Sequence, residues 1–417
     1  MSYKSAKFFA WLVRRQSRKF LELKKGVPLE VFSKGNERRP LALYVHIPFC
    51  RQLCAYCSFN RYPFDESKAR LYFSALKEEL KLYLEKGLDF GSIYIGGGTP
   101  TVWMEGLVDF LEVVRHCLGP KDISLETNPQ DVTAENLTLL KELGVKRLSM
   151  GVQSFRDEML SAMGRFSHTG EEAFEKARLA QGYFDTFNVD ILYNFPTQRL
   201  EDLLYEIEVI DSLRLDQVTF YPLMPASKKR RAIETKFSKI DHNREFEFYA
   251  LILEEMAKKG YRPSTVWCFS RGTKMIDEYI IDYPEYIALG SGAVGLYRGV
   301  FYTNHFDLIN YVEKVKRKEL PIAMYRKLSN NELKRYFLLT QLFGTELKKG
   351  LYHKLFKKDL EEDLKLEIAL LRVLKVLKPS GNGWVLTKKG MFVVSAMMRE
   401  FFTGLNALRE YCRGNRI

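Results

Sequence analysis

The amino-acid sequence predicts an α/β protein built on an incomplete (β/α)6 barrel of the TIM type, followed by a small α+β domain. Short runs rich in β-branched and aromatic residues alternate with stretches of helical periodicity. Glycine and polar residues cluster directly after these runs, where α/β sheets place their sites. Strands separated by helices require a parallel sheet with right-handed crossovers, and six such units leave a TIM-type barrel open.

Six strands and five intervening helices are predicted between residues 41 and 223, because apolar residues recur at helical spacing between the short runs. The strands are LALYVHI (41–47), SIYIGGG (92–98), ISLETN (123–128), RLSMGVQ (147–153), FNVDILY (187–193) and QVTFYPL (217–223). The helices are predicted at 65–86, 101–118, 133–143, 170–182 and 200–213.

The pattern changes at about residue 326. Helices rich in Lys, Glu and Leu are predicted at 331–344 and 354–378, and a final apolar helix at about 391–411. The GNGW turn at 381–384 lies between two short extended pieces, which is typical of a winged-helix-like domain. We therefore expect a basic N-terminal segment over 1–40, a barrel domain over 41–325 and a winged-helix-like domain over 326–417.

The net charge of +13 is concentrated at the start of the chain, since residues 1–40 hold eleven Lys or Arg and three Glu, a net charge of +8. A basic surplus indicates an anionic partner. As a helix this segment is either an interfacial membrane anchor or a helix packed on the barrel with a solvated basic face, and we expect the latter. Its apolar side would carry Phe8, Phe9, Trp11, Leu12 and Phe20.

The rest of the composition excludes several classes of protein. With 46% hydrophobic and 28% charged residues, the chain of 417 residues is not a disordered tail. It has no apolar run of about 18 residues and no secretory signal at its start, so we expect a cytoplasmic protein. Basic and acidic residues are interleaved in the C-terminal domain, as in KKDLEEDLKLE, so no nucleic-acid partner is expected.

The chemistry is indicated by Cys50, Cys54 and Cys57, a C-x3-C-x2-C set directly after the first strand. Three thiolates can bind three irons of a cubane cluster, whereas structural zinc requires a fourth protein ligand. No fourth cysteine lies nearby in the sequence. One iron would then be open to a small molecule; the alternative is a zinc loop with a distant ligand such as His46.

A glycine-rich loop, Gly96-Gly97-Gly98-Thr99-Pro100, follows the second strand. Glycines allow a ligand to approach the backbone closely and leave amide groups available for hydrogen bonds. Such a loop suits an amino-acid moiety, and it lies one strand along from the cysteine loop. The two loops together make a stronger signal than either does alone.

Six segments carry a resemblance to a known family: YVHIPFCRQLCAYCSF (44–59), GGGTPT (96–101), LETNP (125–129), MGVQSF (150–155), MGR (163–165) and NVDILYNFP (188–196). Over about residues 40–300 the sequence resembles the radical S-adenosylmethionine (SAM) superfamily, and within it the oxygen-independent coproporphyrinogen III oxidase-like (HemN-like) family. The resemblance implies a [4Fe–4S] cluster on the three cysteines and SAM at the fourth iron. It also implies a reductant such as flavodoxin or ferredoxin, and anaerobic reductive cleavage of SAM.

The resemblance also implies roles for individual residues. The cluster and catalytic positions are Cys50, Cys54, Cys57 and Tyr44. The positions around one or two SAM molecules are Tyr44, Tyr56, Gly97, Gly98, Thr99, Glu126, Gln153, Arg165 and Asp190. Carboxylates accept hydrogen bonds from ammonium or ribose hydroxyls, and Arg165 can fork onto a carboxylate. The alternatives are that Arg165 is a helix-end charge or ion-pair member and that Gln153 caps a loop.

Departures from the family leave the reaction open. Phe59 replaces an additional cysteine of the decarboxylating oxidase, and VWCFSRGTKMIDEYI (266–280) lacks the His-Asn-x-x-Tyr-Trp signature of the related haem chaperones. EYIALGSGAVGL (285–296) and VSAMMREFFTGL (394–405) are more similar to a methyltransferase branch. The leading prediction is methylation of a planar ring, a tetrapyrrole or a quinone. The alternatives are oxidative decarboxylation of coproporphyrinogen III and haem carriage.

Several other residues have two interpretations each. Cys268 is a radical or proton relay or a plain buried residue, whereas Cys117, in the apolar pattern VVRHCL, is predicted to be core. His46 either orders the cluster loop through a hydrogen bond or packs at a strand end. The aromatic residues that would shield a radical from water, or else belong to the core, are Phe49, Phe59, Trp267 and Phe269.

Overall fold

The structure, a computed structural model, describes residues 4–32, 41–272, 278–381 and 383–417. Its centre is a 13-stranded sheet, accompanied by a three-stranded sheet and a two-stranded pair. The segment 1–40 and the region 266–280 lie partly outside the described residues. Of the helices described, none is long and apolar enough to cross a membrane.

The strands of the large sheet and the two small sheets are numbered in chain order. They are β1 (Lys24–Lys25), β2 (Leu41–Ile47), β3 (Phe49–Cys50), β4 (Tyr62–Pro63), β5 (Phe90–Gly97), β6 (Asp122–Thr127), β7 (Val145–Gln153), β8 (Thr186–Tyr193), β9 (Gln217–Pro222), β10 (Arg262–Pro263), β11 (Cys268–Ser270), β12 (Tyr286–Leu289), β13 (Val294–Tyr297), β14 (Val300–Asn304), β15 (Ile322–Lys327), β16 (Glu346–Lys348), β17 (Leu377–Ser380) and β18 (Gly383–Leu386).

The helices are numbered in the same way. They are α1 (Lys4–Phe20), α2 (Glu66–Glu85), α3 (Met104–Leu118), α4 (Ala134–Glu142), α5 (Asp157–Met163), α6 (Gly170–Ala180), α7 (Leu200–Leu213), α8 (Ser227–Lys236), α9 (His242–Lys258), α10 (Tyr279–Asp282), α11 (Leu308–Lys316), α12 (Asn330–Phe343), α13 (Lys349–Phe356), α14 (Leu360–Asp363), α15 (Lys365–Val373) and α16 (Lys388–Gly414).

The core of the large sheet is a row of parallel strands in the order β2-β5-β6-β7-β8-β9, with helices in the connections. These are the six predicted strands, and each begins and ends within two residues of its predicted limits. Their side chains are buried on both faces, as parallel strands covered by helices require. The α/β prediction is confirmed.

The sheet is wider than the six predicted strands. β12 pairs in parallel with β2, and β13, β14, β15 and β1 continue antiparallel from it. On the other edge β11 and β10 follow β9 in antiparallel orientation. The turns that reverse the chain at Gly290, Gly292, Arg298 and Gly299 have positive φ, which lets these short strands follow one another closely.

The C-terminal part contains two of the three expected helices, α12 and α16, and a sheet in the order β16-β18-β17. The single helix predicted over 354–378 is wrong. The chain leaves α13 at Lys357, which has a φ of 56°, and restarts at Asp359, whose carboxylate accepts from the amides of Glu361 and Glu362. The final helix runs from Lys388 to Gly414, longer than predicted. The division into three domains stays a prediction.

The N-terminal helix α1 packs against α16. Arg14 forms an ion pair with Glu400 at 2.7 Å, and Phe20 contacts the ring of Phe401. The helices approach closely at Gly404, where a Cβ would lie 3.1 Å from a methyl group of Leu21. The packed arrangement agrees with the expectation of a helix on the protein body, with its remaining basic residues exposed. The prediction that Phe8 and Trp11 belong to the packed apolar side is wrong, because both are exposed and the buried side carries small residues beside Phe9 and Phe20. Membrane contact stays a prediction.

Glu79 of α2 fixes the added part of the sheet. This fully buried carboxylate accepts from the amide of Gly290 at 2.8 Å, Nδ2 of Asn304 at 2.7 Å and the hydroxyl of Tyr311 at 2.6 Å. Burial raises the pKa of Glu79 to about 7, against the effect of these three donors. One acid therefore holds the β12–β13 turn, β14 and α11 against α2.

Replacing Glu79 by Gln tests this arrangement. The folded pKa lies above the unfolded value, so the folded state holds a proton that the unfolded state has lost between pH 4.5 and 7. The free energy of unfolding should fall by about 3 kcal/mol as pH rises through this window, and the Glu79→Gln variant should lack that part of the slope. Urea unfolding at several pH values measures the difference from wild type. The neighbouring Glu78→Gln variant should keep the wild-type slope; an unchanged slope in Glu79→Gln contradicts the account.

Candidate functional site

A cavity of about 260 Å³ lies at the carboxyl ends of the parallel strands. Its lining includes the last residues of three of them: Gly97 of β5, Thr127 of β6 and Gln153 of β7. Parallel strands bring their carboxyl ends to one edge, which is where α/β folds bind ligands. The predicted site residues that line it are Cys50, Cys54, Tyr56, Cys57, Gly97, Gly98, Thr99, Glu126, Gln153, Arg165 and Asp190.

The three cysteines are free and share this cavity, with Cys50 and Cys54 buried and Cys57 half-buried. Arg61 holds their loop in a tight curve, because its Nη2 donates to the carbonyl oxygens of both Cys54 and Cys57. Arg165 donates from Nη1 to Sγ of Cys54 at 3.4 Å. Arg165 thus contacts one of the three sulfurs, and Arg61 fixes the backbone that carries two of them.

His46 and Tyr44 lie behind the cysteine loop. Nε2 of His46 bonds to the carbonyl oxygen of Asn60 at 2.8 Å, and Nδ1 bonds to the hydroxyl of Tyr44 at 2.9 Å. Burial lowers the pKa of His46 to about 4, so the ring is neutral. Because both ring nitrogens are occupied, His46 supports the loop rather than offering a zinc ligand. Tyr44 is absent from the cavity lining that the described residues form.

The glycine loop is bonded directly to the cysteine loop. The amide of Gly98 donates to the carbonyl of Ile47 at 2.8 Å, and the amide of Thr99 donates to that of Phe49 at 2.7 Å. A Cβ at Gly98 would lie 2.5 Å from the Phe49 carbonyl oxygen and 3.0 Å from Sγ of Cys50. Glycine is therefore required at 98 for the two loops to meet.

Two carboxylates, Glu126 and Asp190, line the cavity. Glu126 accepts from the hydroxyl of Tyr94 at 2.8 Å and from the amide of Gly97 at 3.0 Å. Burial raises its pKa, and these two donors and the charge of Arg147 oppose the rise. Asp190 accepts from the hydroxyl of Ser149 at 3.1 Å and from Nδ2 of Asn188 at 2.8 Å. A carboxylate oxygen can accept more than one hydrogen bond.

Arg165 is fixed at the cavity wall. Its Nη2 donates to Oδ1 of Asn128 at 2.8 Å and to the carbonyl of Gly151, and its buried Nε has no partner in the part of the chain that the structure describes. Burial lowers the pKa of Arg165, but the neighbouring hydroxyl of Tyr56 and thiol of Cys54 outweigh this effect, and the pKa is raised. Among the described residues no carboxylate lies within 4 Å of Arg165, so it is not an ion-pair member there.

Gln153 has a positive φ of 76° at the end of β7, and its side-chain oxygen accepts from the hydroxyl of Tyr221. Strain of this kind in a non-glycine residue persists where surrounding contacts hold it. The side chain faces the cavity lining rather than capping a loop.

The remaining cysteines and aromatic residues have different positions. Cys117 is exposed, so the prediction that it is core is wrong: the buried face of α3 ends one turn earlier, at Val114. Cys268 is buried in β11, outside the part of the cavity wall that the described residues form. Trp267 and Phe59 line the cavity, whereas Phe49 and Phe269 are core residues.

Sequence reasoning missed several lining residues, among them Asn128, Arg61, Arg147, Asn406 and Arg409. Asn128 is inside the quoted segment LETNP, two residues after Glu126, so its position at a strand end was a usable signal. The last two lie in α16, near the end of the chain, and no local pattern connects them to the barrel.

A second cavity of about 620 Å³ lies between α1, α8 and α16. Although it is larger, its lining contains none of the predicted site residues. The buried Leu223 lines both cavities. The chemistry therefore belongs to the smaller cavity.

Comparison with known proteins agrees with this geometry. Residues 44–210 match the family described as the radical SAM superfamily. Residues 44–210, which carry the cysteine loop and the glycine loop, are thus similar to the radical SAM superfamily. The family uses a [4Fe–4S] cluster and SAM, as the resemblance implied.

Individual relatives narrow the group to HemN-like and HemW-like proteins. The heme chaperone HemW of Bacillus subtilis is 29% identical over 304 residues, which cover 69% of this chain and 79% of the chaperone. The oxygen-independent coproporphyrinogen III oxidase of Helicobacter pylori is 26% identical over 397 residues, 87% of this chain and 86% of that enzyme. Coproporphyrinogen III oxidase HemN from Escherichia coli shares the fold, with a TM-score of 0.77 and 21% identity over 91% of this chain and 95% of that one.

The residues of this site fit a cluster with a small-molecule ligand. The three cysteines are free, and Arg165 contacts Cys54 while its buried Nε has no partner among the residues that the structure describes. The described residues offer no group of three His, Cys, Asp or Glu positioned around a single metal ion. A cubane differs from a single ion in that each thiolate binds a separate iron, so the sulfurs need not converge on one point.

The contact between the two loops can be tested with Gly98→Ala. The added methyl group would meet the Phe49 carbonyl at 2.5 Å and push Cys50 out of place. We expect the variant to fold but to hold far less iron and sulfide after anaerobic reconstitution. Gly350→Ala is the matched control, because a Cβ there meets no atom within 4 Å and should leave the iron content unchanged. A full cluster in Gly98→Ala would disprove the need for glycine.

Proposed function

We propose that this protein is a HemN-like radical SAM enzyme that cleaves SAM reductively and acts on a carboxylated tetrapyrrole. The observation that carries the proposal is the cavity itself, in which the cysteine loop, the glycine loop and fixed polar side chains meet. These are the groups that such a reaction needs at one place: ligands for a cluster, a cradle for an amino acid and partners for its charges.

Cys50, Cys54 and Cys57 would hold the cluster, and the glycine loop would receive the methionine part of SAM. When bound, these groups supply one-electron cleavage of SAM and the abstraction of a hydrogen atom from the substrate. Arg165 is placed to hold a carboxylate, because its position is fixed by Asn128 and the backbone.

The carboxylates orient the rest of the SAM molecule. Glu126 and Asp190 are held by neighbouring donors, and a carboxylate has about four acceptor sites, so each can also accept from an ammonium group or ribose hydroxyls. Both line the cavity, from β6 and β8 on either side of β7, and their fixed positions reduce the reorganisation needed when SAM binds. The roles predicted for Tyr56, Thr99 and Gln153 belong to the same proposal.

Aromatic and apolar side chains close the cavity against water. Trp267 donates from Nε1 to the hydroxyl of Ser395 at 3.0 Å and packs against Phe402 with ring centroids 5.7 Å apart. Leu192 is buried in the wall. Exclusion of water protects a reactive intermediate from side reactions.

Charge and relationship support a carboxylated ring as substrate. Four arginines line the cavity against three carboxylates: Arg61, Arg147, Arg165 and Arg409 against Glu126, Asp190 and Glu278. The relatives include proteins named as coproporphyrinogen III oxidases and heme chaperones, whose ligands are tetrapyrroles. The names of these relatives do not support methylation or a quinone substrate, so the proposed function includes neither.

Haem carriage is a second candidate function, favoured by the heme chaperones among the relatives. Against it, residues 266–280 lack the chaperone signature. Part of that region, 273–277, lies outside the described residues. The two functions differ in a measurable way, because a carrier binds haem stoichiometrically and has little substrate-dependent SAM turnover.

Anaerobically reconstituted protein with SAM and dithionite provides the test. With coproporphyrinogen III we expect 5′-deoxyadenosine together with carbon dioxide and protoporphyrinogen. Cys54→Ala should abolish SAM cleavage, whereas the exposed Cys117→Ala should retain it. Tight haem binding without deoxyadenosine would favour the carrier, and S-adenosylhomocysteine formed with deoxyadenosine would restore methylation.

The reductant is the remaining partner, and we propose that it is a small acidic redox protein such as flavodoxin or ferredoxin. The cysteine loop is exposed at Leu53 and Ala55, and Nζ of Lys229 donates to the Ala55 carbonyl at 3.0 Å. Exposed basic side chains surround this contact. They are Lys228 and Arg231 of α8 and Arg413 of α16, and together with Lys229 they form the basic surface.

Reversing two charges of the basic surface should slow reduction by such a protein. We expect Lys228→Glu with Arg231→Glu to lower the rate of cluster reduction by flavodoxin and to weaken its salt dependence. Reduction by dithionite should not change. Lys141→Glu with Lys146→Glu, at the opposite end of the barrel, is the control. Equal rates for both double variants with flavodoxin would place the donor elsewhere.

A further inference from the structure

Arg409 of α16 is a buried cation that faces the site. Its residue surface is only 9% exposed, and it lines the cavity together with Phe402 and Asn406 of the same helix. Among the described residues no carboxylate lies within 4 Å of its guanidinium group. Nη1 of Arg409 donates a hydrogen bond to Oδ1 of Asn406 at 2.8 Å.

Arg399, another buried arginine of α16, has a structural role and provides a comparison for Arg409. Arg399, two to three turns earlier, donates to Glu245 at 2.6 Å and to Glu400 at 3.0 Å, so its charge is paired twice. Burial of a charge is expensive unless a partner compensates it. Arg409 has no such acid, which indicates that its partner comes from outside the chain.

The guanidinium group is held in place before any ligand arrives. The Asn406 side chain that accepts from Arg409 also donates to the carbonyl of Met224 at 2.6 Å. The carbon of the guanidinium lies 4.4 Å from the centre of the Phe59 ring. A planar cation stacked on an aromatic face keeps its edge available for hydrogen bonds. Of its five N–H donors, most remain for a ligand.

Phe59, on whose ring Arg409 lies, is a difference between this chain and the oxidases that its sequence resembles. It occupies the position where the decarboxylating oxidases that the sequence resembles carry an additional cysteine. A phenyl ring there provides the face on which Arg409 lies, so the substitution and the arginine form one unit. The carbonyl of Phe59 accepts from Arg413, which keeps the ring beside α16.

We propose that Arg409 binds a carboxylate of the ring substrate and makes the site selective for acids over neutral rings. The inference rests on the proposed function and adds a specificity residue to it. The planar guanidinium group can donate two parallel hydrogen bonds to the two oxygens of a carboxylate. SAM also has a carboxylate, but the glycine loop and Arg165, which contact the cysteine loop, lie on the barrel side. Arg409 belongs to the wall that α16 adds, together with Phe402 and Asn406.

Burial lowers the pKa of Arg409, and the acidic groups around it, Glu126 among them, act in the opposite direction. The group remains a guanidinium at neutral pH, because the ordinary pKa of arginine is far above it. An incoming carboxylate would further stabilise the charged form. The cation is therefore available throughout the pH range in which the protein works.

The test compares coproporphyrin III with its tetramethyl ester, which has the same ring and no charge. Reconstituted protein with SAM should bind the acid more tightly than the ester. In Arg409→Gln this preference should fall by roughly 10- to 100-fold, the size of a charged hydrogen bond, while SAM affinity stays near the wild-type value. The matched control is Arg372→Gln, because Arg372 is an exposed arginine that stacks on Trp384 outside the lining of this cavity, and this variant should keep the preference.

Further variants guard against a folding defect. Arg409→Lys keeps the charge without the fork and should keep part of the preference, and Phe59→Leu should weaken it while leaving the arginine in place. A full preference for the acid in Arg409→Gln overturns the inference but leaves the proposed function intact. Loss of SAM affinity with the preference unchanged would assign the carboxylate to SAM and also overturns it. Failure of the wild type to bind either porphyrin contradicts the inference and the proposed function together.

Discussion

The close contact between the cysteine loop and the glycine loop is the constraint on which the site depends. It exists because β2 and β5 are neighbouring parallel strands in register, so Ile47 and Gly97 end side by side. Two backbone hydrogen bonds then join the loops, and the absence of a side chain at Gly98 gives the Phe49 carbonyl and Cys50 the space they occupy. The cysteine loop has room for a cluster and a ligand because the loop beside it, Gly96-Gly97-Gly98, has no side chains that would fill the space.

Buried charges organise the rest of the molecule in two different ways. Glu79 is saturated by three donors and serves only to hold the added strands against α2. Two cations that face the cavity differ from it. Neither Arg165 nor Arg409 has a carboxylate within 4 Å among the described residues, and each is held in place by uncharged groups. A buried charge with its donors in place stabilises the fold, whereas a fixed cation without an acid can be completed by an anionic ligand.

The sequence predicted the six parallel strands well because strands buried on both faces read as continuous apolar runs, with site residues directly after them. It did not predict β12–β15, whose four to six residues per strand are held by contacts distant in the chain, such as Glu79 with Gly290. Arg409 was missed for the same reason, since only the tertiary packing of α16 brings it to the barrel. Cys117 and the break at Lys357 were misjudged because periodicity does not show where a buried face ends or where the chain takes a positive φ.

The central claim is that three cysteines leave one iron of a cluster open to SAM beside the glycine loop. Electron paramagnetic resonance of the anaerobically reconstituted and reduced protein, recorded with and without SAM, tests it most directly. The account predicts the signal of a four-iron cluster that changes when SAM is added, because SAM then binds an iron directly. A four-iron signal indifferent to SAM, or a protein that takes up zinc and no cluster, would contradict it.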